Sequence, residues 1–536
     1  MSRRTNAAAA VAILVLAAAL RFWALDSGLP HPMTRPDEEV VLAQTKAPAS
    51  GNWDVRWAIF PSAYIYLTWL WGALGLRAGR LLGVFPPAGY LTTLATEPAR
   101  IILVDRVLSA SVGTATVALV MAVARRTFGA RAGLAAGVIL ATSFLHVRDS
   151  HAVKPDVLFG FGVLVSLWAM AALARRATAR RAAVAGGAIG LTVATKYPAV
   201  LLCVPAYVAA VLGSAARGWR RVVPGSAIVV GAVAGAVFIA TSPFLVLNPE
   251  SRQNIFYLLS TLLPQNAPGV ITAAPPTRRW WEGFTYHALF SLRWGAGLLP
   301  TVLFPVAIAW ALWRRRPLPL LGALFAVIYY GVLSTSTVNL ARYMTPIVPV
   351  LALLEAGLLA AVVPRVAGHR RAGAALAAAV ALVVAEPLAR AVAFNRIAAR
   401  TDTRVEATRW MAAHLPPGAN VQVIGTQLWI YGQPQMPPGM IPRHVHADVE
   451  TLRHEGIRWV LTHDHPLPFS HVPPDVMGAL TPHLRLVAEF DPFTARRDEA
   501  VFEPGDAYYI PFHGFAGVER PGPHIRIYEL ETAATQ

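Results

Sequence analysis

"ARRTFGAR", residues 124–131, is the stretch whose side of the membrane decides the fold. It separates two apolar runs, 101–124 and 132–147, and carries three arginines and no acid. "ARRATARR", residues 174–181, has the same character between the runs 157–174 and 182–196. Arginine and lysine concentrate in the cytoplasmic loops of membrane proteins. Both stretches therefore belong to the cytoplasmic side, and the remaining loops take their sides from them.

A helix of about 20 apolar residues spans the ~30 Å hydrocarbon layer. Runs of that kind, or nearly so, lie at 7–25, 101–124, 132–147, 157–174, 182–196, 197–213, 222–246, 286–313, 317–336, 344–363 and 372–392. A further run, 58–76, in and around "WAIFPSAYIYLTWLWGALG" (57–75), is rich in aromatics. If it crossed, both arginine stretches would face outward. If it does not, the cytoplasmic loops 1–6, 125–131, 175–181, 214–221, 314–316 and 364–371 hold eighteen Lys and Arg and no Asp or Glu. The reading is thus eleven crossings plus an outer interfacial helix, where Trp53, Trp57, Tyr64, Tyr66, Trp69 and Trp71 suit the headgroup layer. A tilted extra span is the alternative for that run.

The composition agrees. Of 536 residues, 55% are hydrophobic and 14% charged, with mean hydropathy +0.48, against roughly 25% charged in soluble proteins. The net charge of +18 reports topology here rather than nucleic-acid binding, which is excluded as a partner. Cys203 is the single cysteine, so no intrachain disulfide and no cysteine metal cluster forms. The start, "MSRRTNAAAAVAILVLAAALRFWAL", has no clean small-x-small cleavage site and reads as an uncleaved first helix. The expected location is the plasma (inner) membrane, multi-pass, with the N-terminus cytoplasmic and the C-terminus outside.

The chain divides at residue 392. Beyond it, "DTRVEATRWMAAHLP" (402–416) reads as an amphipathic helix capped by Asp402. "NVQVIGT", "IRWVLTH", "LRLVAEF" and "HIRIYEL" read as short strands. Residues 393–536 are therefore expected as an extracytoplasmic α/β domain, with 1–392 as the membrane domain. No catalytic motif is visible in the C-terminal part. His444, His446, His463, His465 and His471 do not have the spacing of a metal site.

Charged residues at a membrane face are costly unless solvated or paired. On this topology the outer face gathers the acids Asp37, Glu38, Glu39, Asp149 and Asp156 and the bases Arg148, Lys154, Lys196 and Arg342, with Tyr343 beside the last. A carboxylate can take a proton from an acceptor hydroxyl, and Arg and Lys can hold a phosphate leaving group. Each has a plainer reading. Asp37 and Asp156 suit helix N-termini, Lys196 suits a snorkelling helix end, and Arg342 a stray charge. Pro198 breaks "ATKYP" (194–198), placing Lys196 and Tyr197 near the outer surface. Asp105 and Arg106 are expected to pair with neighbours, and Glu355 is a buried acid or a pathway residue.

The ordered set "RPDEEV" (35–40), "HVRDSHAVKPD" (146–156), "ATKYP" and "ARYMTPIVPV" (341–350) resembles the protein O-mannosyltransferase and lipid A aminoarabinose transferase group over about residues 30–363. These are GT-C fold glycosyltransferases that use a polyprenyl-phosphate sugar. The resemblance implies Asp37 as catalytic acid with Glu38 beside it and Asp156 as a second acid. It implies Arg148, Lys196, Arg342 and Tyr343 at the donor phosphate. It also implies an inverting hexosyl or pentosyl transfer to a hydroxyl of a protein, lipid or glycan. The chain departs at "AIFPSAY" (58–64), where the aminoarabinose branch carries a donor-binding lysine; Arg56 is the candidate replacement. The long C-terminal domain is a second expected departure from that branch. A lipid monophosphate needs no divalent ion to leave, so no metal or other cofactor is expected. The rivals are a transporter or flippase of a lipid-linked saccharide, centred on Glu355; a non-catalytic scaffold; and a metal-dependent transferase using a lipid pyrophosphate.

Overall fold

The structure is a computed structural model that describes residues 3–56, 59–218, 222–253, 281–336, 338–368, 371–425, 431–444 and 448–531. Trp57, His446 and most of the expected outer loop 247–285 lie outside these residues.

Each expected apolar run is helical along most of its length. The chain begins with α1 (Arg3–Phe22), then α2 (Glu38–Ala49), α3 (Ser62–Leu81), α4 (Tyr90–Thr96), α5 (Pro98–Phe128) and α6 (Ala130–Thr142). It continues with α7 (Phe144–Asp149), α8 (Asp156–Arg175), α9 (Ala179–Val193), α10 (Cys203–Gly213) and α11 (Gly225–Thr241). The membrane part closes with α12 (Leu298–Arg314), α13 (Pro317–Ser334), α14 (Val348–Ala367) and α15 (Ala372–Ala398). Among the described residues, six helices are long and apolar enough to cross a membrane by length and composition, and four shorter apolar helices accompany them. The protein is an integral, multi-pass membrane protein.

The helix ends follow local chemistry. Pro98 opens α5, where its missing N–H costs nothing. Gly129, at φ 101°, ends it. Pro198 does break the 182–213 region: a 3₁₀ turn over Tyr197–Leu202 separates α9 from α10. Three runs expected as single helices are split, run 222–246 at Ser242–Pro243 between Gly225–Thr241 and Phe244–Leu247. Run 132–147 breaks at Ser143, between α6 and α7. Run 286–313 breaks at Gly297, whose φ of 105° ends one helix, while the Glu386 carboxylate accepts the Leu298 N–H at 2.7 Å and starts the next.

The run at 58–76 emerges, from Ser62 on, as α3. Ser62, Tyr64, Ile65, Thr68, Gly72 and Leu76 form its buried face, and Leu67, Leu70, Leu74 and Leu81 are exposed. The Trp71 indole donates to the Val104 carbonyl of α5 at 2.8 Å, fixing α3 along that helix.

Beyond the bundle, α16 (Thr403–His414) starts at Asp402, whose carboxylate accepts the Arg404 N–H as expected of a cap. The strands are β1 (Asn420–Ile424), β2 (Ile441–Arg443), β3 (Trp459–Asp464), β4 (Leu484–Phe490) and β5 (His524–Leu530). They form one sheet in the order β2-β1-β3-β5-β4, parallel among the first three and antiparallel thereafter. The four expected strands are all present; β2 is the short addition. Ala407 and Met411 of α16 pack on Val421, Leu461, Ile525 and Ile527.

The division at 392 falls inside α15, which runs unbroken to Ala398. Residues 501–513 leave the sheet as a loop pinched at its base, where Val501 N–H donates to His513 O and Phe512 N–H to Val501 O. Its tip enters the end of the helical bundle. Phe512 meets Phe144 of α7 edge to face at 5.5 Å, and Tyr508 faces Phe394 of α15. The two parts share one apolar core there.

Candidate active site

Asp37 sits just before α2 in the left-handed conformation, φ 71° and ψ −9°, which costs a residue with a Cβ about 1 kcal/mol. Its side chain makes no capping hydrogen bond, so the helix-cap reading fails. The carboxylate turns instead to Arg342, at 2.6 Å, and to Lys154, at 3.6 Å. About a third of that side chain remains accessible, against a few per cent for the acids Asp149, Asp156, Glu503 and Asp506. Burial raises the Asp37 pKa, and Arg342 and Lys154 outweigh it, holding the acid below the usual carboxylate range. Lys154 is buried and its ammonium makes no hydrogen bond among the described residues. Burial, with Arg342 next to it, lowers its pKa to about 8.

A second pair lies alongside. Asp156 opens α8, buried, and accepts the Lys196 ammonium at 2.5 Å. It is the first helical residue, and Pro155 holds the N-cap position. Lys196 lies 5.6 Å from the centre of the Tyr343 ring, next to Arg342 in sequence. Arg342 and Tyr343 stand on a 3₁₀ turn over Ala341–Ile347 that leads into α14.

Behind this surface is a buried layer of charge. Arg148 binds Asp149, Glu503 and Asp506 at 3.1–3.2 Å and faces the rings of Tyr508 and Phe512. Arg35 binds Asp149 at 3.0 Å and Asp506 at 3.3 Å. Glu503 also accepts the Ala341 N–H at 2.5 Å. The acids of the inserted loop thus hold the peptide that carries Arg342. Lys154, Arg35, Arg342 and Arg148 outweigh burial and keep Asp506 well below the usual carboxylate range. Burial pushes Glu503 up, against the pull of Arg148.

Residues 64–247 match the model of a family described as dolichyl-phosphate-mannose-protein mannosyltransferase. No curated protein sequence matches the chain. Among solved structures, ArnT from Cupriavidus metallidurans bound to undecaprenyl phosphate aligns with TM-score 0.52 and 16% identity over 99% of both chains. The apo oligosaccharyltransferase of Archaeoglobus fulgidus aligns with TM-score 0.54 and 12% identity over 99% of this chain and 89% of the other. The chain has the GT-C fold. To that fold is added the mannosyltransferase-family match over residues 64–247, and the flippase reading draws no support.

The alignment with ArnT runs the full length of the GT-C chain. The C-terminal domain is therefore no departure from that branch, contrary to expectation. The sequence reading brings Asp37, Asp156, Lys196, Arg342 and Tyr343 to one place, and the structure puts them there. It differs on three others. Glu38, expected as a catalytic partner, is wholly buried and faces away: its carboxylate receives Arg106 at 2.6 and 2.9 Å and the Val153 N–H at 2.8 Å. Arg148, expected at the donor phosphate, is saturated by three acids. Arg56, the expected stand-in for the missing lysine, is exposed; its N–H goes to Asp54 and its carbonyl to Ser251, and it takes no part in the ion pairs around Asp37.

Arg35, Glu503 and Asp506 are the residues the sequence reading missed. The trace of Glu503 and Asp506 is "FEPGDAYYIPF" (502–512), too aromatic for a solvated loop yet holding two acids. Of the singled-out histidines, His463 bonds Ser470 at 2.7 Å and His465 sits among Phe493, Phe502 and Tyr509. Glu355 and Ser143 border a small space between α6, α12, α14 and α15, and neither side chain has a partner among the described residues.

Proposed function

We propose that this GT-C glycosyltransferase moves a sugar from a polyprenyl monophosphate to an acceptor hydroxyl on the extracytoplasmic face of the bacterial inner membrane, with inversion and with Asp37 as general base. The observation that carries the reading is Asp37 itself. It is the accessible carboxylate of the cluster, ringed by Arg342, Lys154 and the nearby Lys196, and the Lys154 ammonium, though ion-paired with Asp37, makes no hydrogen bond among the described residues. A buried ammonium without a hydrogen bond is rare and calls for an anion. The solved relatives bear on this: ArnT carries undecaprenyl phosphate in one structure, and the archaeal enzyme carries a dolichol phosphate and a peptide in another. Eighteen basic residues in the loops at the opposite ends of these helices support an extracytoplasmic site.

The chemistry is a single displacement. The acceptor oxygen attacks the anomeric carbon from the face opposite the phosphate, and its proton passes to Asp37. The bond from the anomeric carbon to the phosphate oxygen breaks, and the polyprenyl phosphate leaves with that electron pair. Arg342, Lys154 and Lys196 take up the charge that grows on it. At rest Asp37 is a weak base, because Arg342 and Lys154 stabilise its ionised form. A phosphate that draws those two cations towards itself raises the basicity of Asp37 when the acceptor must be deprotonated. Tyr343, beside Arg342, lines the same surface.

The test uses purified protein, a panel of radiolabelled polyprenyl-phosphate sugars and a membrane extract as acceptor. Asp37→Asn is expected to lower transfer by at least 10²-fold and to keep donor binding. Undiminished transfer by that variant rules the reading out. A metal-dependent lipid-pyrophosphate transferase is the rival reading. Transfer that stops in EDTA and returns with a divalent ion favours it.

A further inference from the structure

Glu39 has no role in that chemistry, yet it is built into the site. Its Oε1 accepts the Asp37 N–H at 3.3 Å and the Tyr431 hydroxyl at 2.5 Å. Its Oε2 is closed off from solvent and has no partner among the described residues. A carboxylate that receives the N-cap N–H at a helix start is ordinarily one half of a capping box, standing in water. Glu39 differs in two ways. Burial, with Asp37 next to it, lifts its pKa to about 7, against the hydrogen bond from Tyr431. Its second donor comes from the C-terminal domain, 392 residues along the chain. The N–H it holds belongs to the residue in the strained left-handed conformation, and that conformation sends Asp37 towards Arg342 while Glu38 points to Arg106.

We propose that Glu39 and Tyr431 are positioning residues for Asp37: the C-terminal domain, through the Tyr431 hydroxyl and the Glu39 carboxyl, fixes the backbone that aims the general base at the acceptor. The proposal rests on Asp37 being that base. It assigns the C-terminal domain a part in the transfer step, in addition to any acceptor it recruits. The role needs an acceptor atom at Glu39, not its charge, so glutamine fulfils it. The Gln carbonyl can receive both the Asp37 N–H and the Tyr431 O–H.

Two measurements on the full-length protein decide the matter. The first is hydrogen exchange of the peptide covering residues 35–41, with thermal unfolding as the folding control. Glu39→Ala and Tyr431→Phe should speed exchange of the Asp37 amide by roughly tenfold or more, while Glu39→Gln leaves it near wild type. The second is transfer from the polyprenyl-phosphate sugar that the wild type uses. Glu39→Ala should lose about 10²-fold in kcat with the donor KM within twofold, and Glu39→Gln should recover to within threefold. Unchanged exchange in Glu39→Ala overturns the proposal, as does a Glu39→Gln variant as inactive as Glu39→Ala. If Asp37→Asn remains active, the reading of Asp37 as base fails, and the exchange data still report whether Glu39 holds that backbone. If Asp37→Asn is inactive and Glu39→Ala is not, only the positioning proposal fails.

Discussion

At the scale of the residue, three consecutive acids do three different things. Asp37 faces the cations, Glu38 is locked to Arg106, and Glu39 reaches Tyr431. One left-handed residue at the start of a helix fans them apart. The Glu38–Arg106 pair is buried on both sides, and removing one partner of such a pair costs about 3–5 kcal/mol. Glu38→Ala should therefore lower the unfolding temperature markedly while the protein that remains folded keeps its donor KM. A normal unfolding temperature with abolished transfer would instead make Glu38 catalytic. Lys154 gives a pH prediction. Its neighbours are Arg342, Arg35, Asp37 and Asp506, and its pKa is about 8. Below that pH it is charged and can hold phosphate; as pH rises through about 8 the charge is lost. Donor affinity should fall across that window in the wild type and stay flat in Lys154→Arg, because arginine remains charged. An alkaline loss that persists in Lys154→Arg assigns it to another group. The identities of Asp37, Asp156, Lys196 and Arg342 were legible because each is a charge at the mouth of an apolar run. The partners of Glu38 and Arg148 were not, because pairing across 68 and 355 residues has no local signature.

At the scale of the element, the loop at 501–513 joins the two parts. Its apolar tip buries Tyr508 and Phe512 in the bundle, and its acids neutralise Arg35 and Arg148. Asp506→Asn leaves three guanidinium groups sharing fewer carboxylates. It should reduce the unfolding temperature and speed proteolysis within 495–520. Wild-type resistance to both would mean the loop is held by its rings alone. Helices were legible wherever apolar length and flanking arginines coincide. The splits at Ser143 and Gly297 were not, since they depend on side chains from elsewhere: the Glu386 carboxylate starts α12 at Leu298. The loop itself has no legible signature, because turn residues such as Pro504 and Gly505 mask an insertion whose destination lies in another part of the chain.

At the scale of the whole molecule, the site is a seam. The bundle supplies Asp37, Lys154, Asp156, Lys196 and Arg342, and the C-terminal domain supplies Tyr431, Glu503 and Asp506. A chain truncated after residue 400 should therefore lose transfer even where it inserts into membranes and remains helical by circular dichroism. Wild-type transfer by that truncation would reduce the domain to an accessory. The central claim is that the phosphate of the donor lies at this seam. The most direct measurement is the structure of the Asp37→Asn protein in lipid with a polyprenyl phosphate bound. The phosphate is expected within contact of Arg342, Lys154 and Lys196. A phosphate at the opposite end of the bundle, beside the arginines of 125–131 or 175–181, would contradict the account.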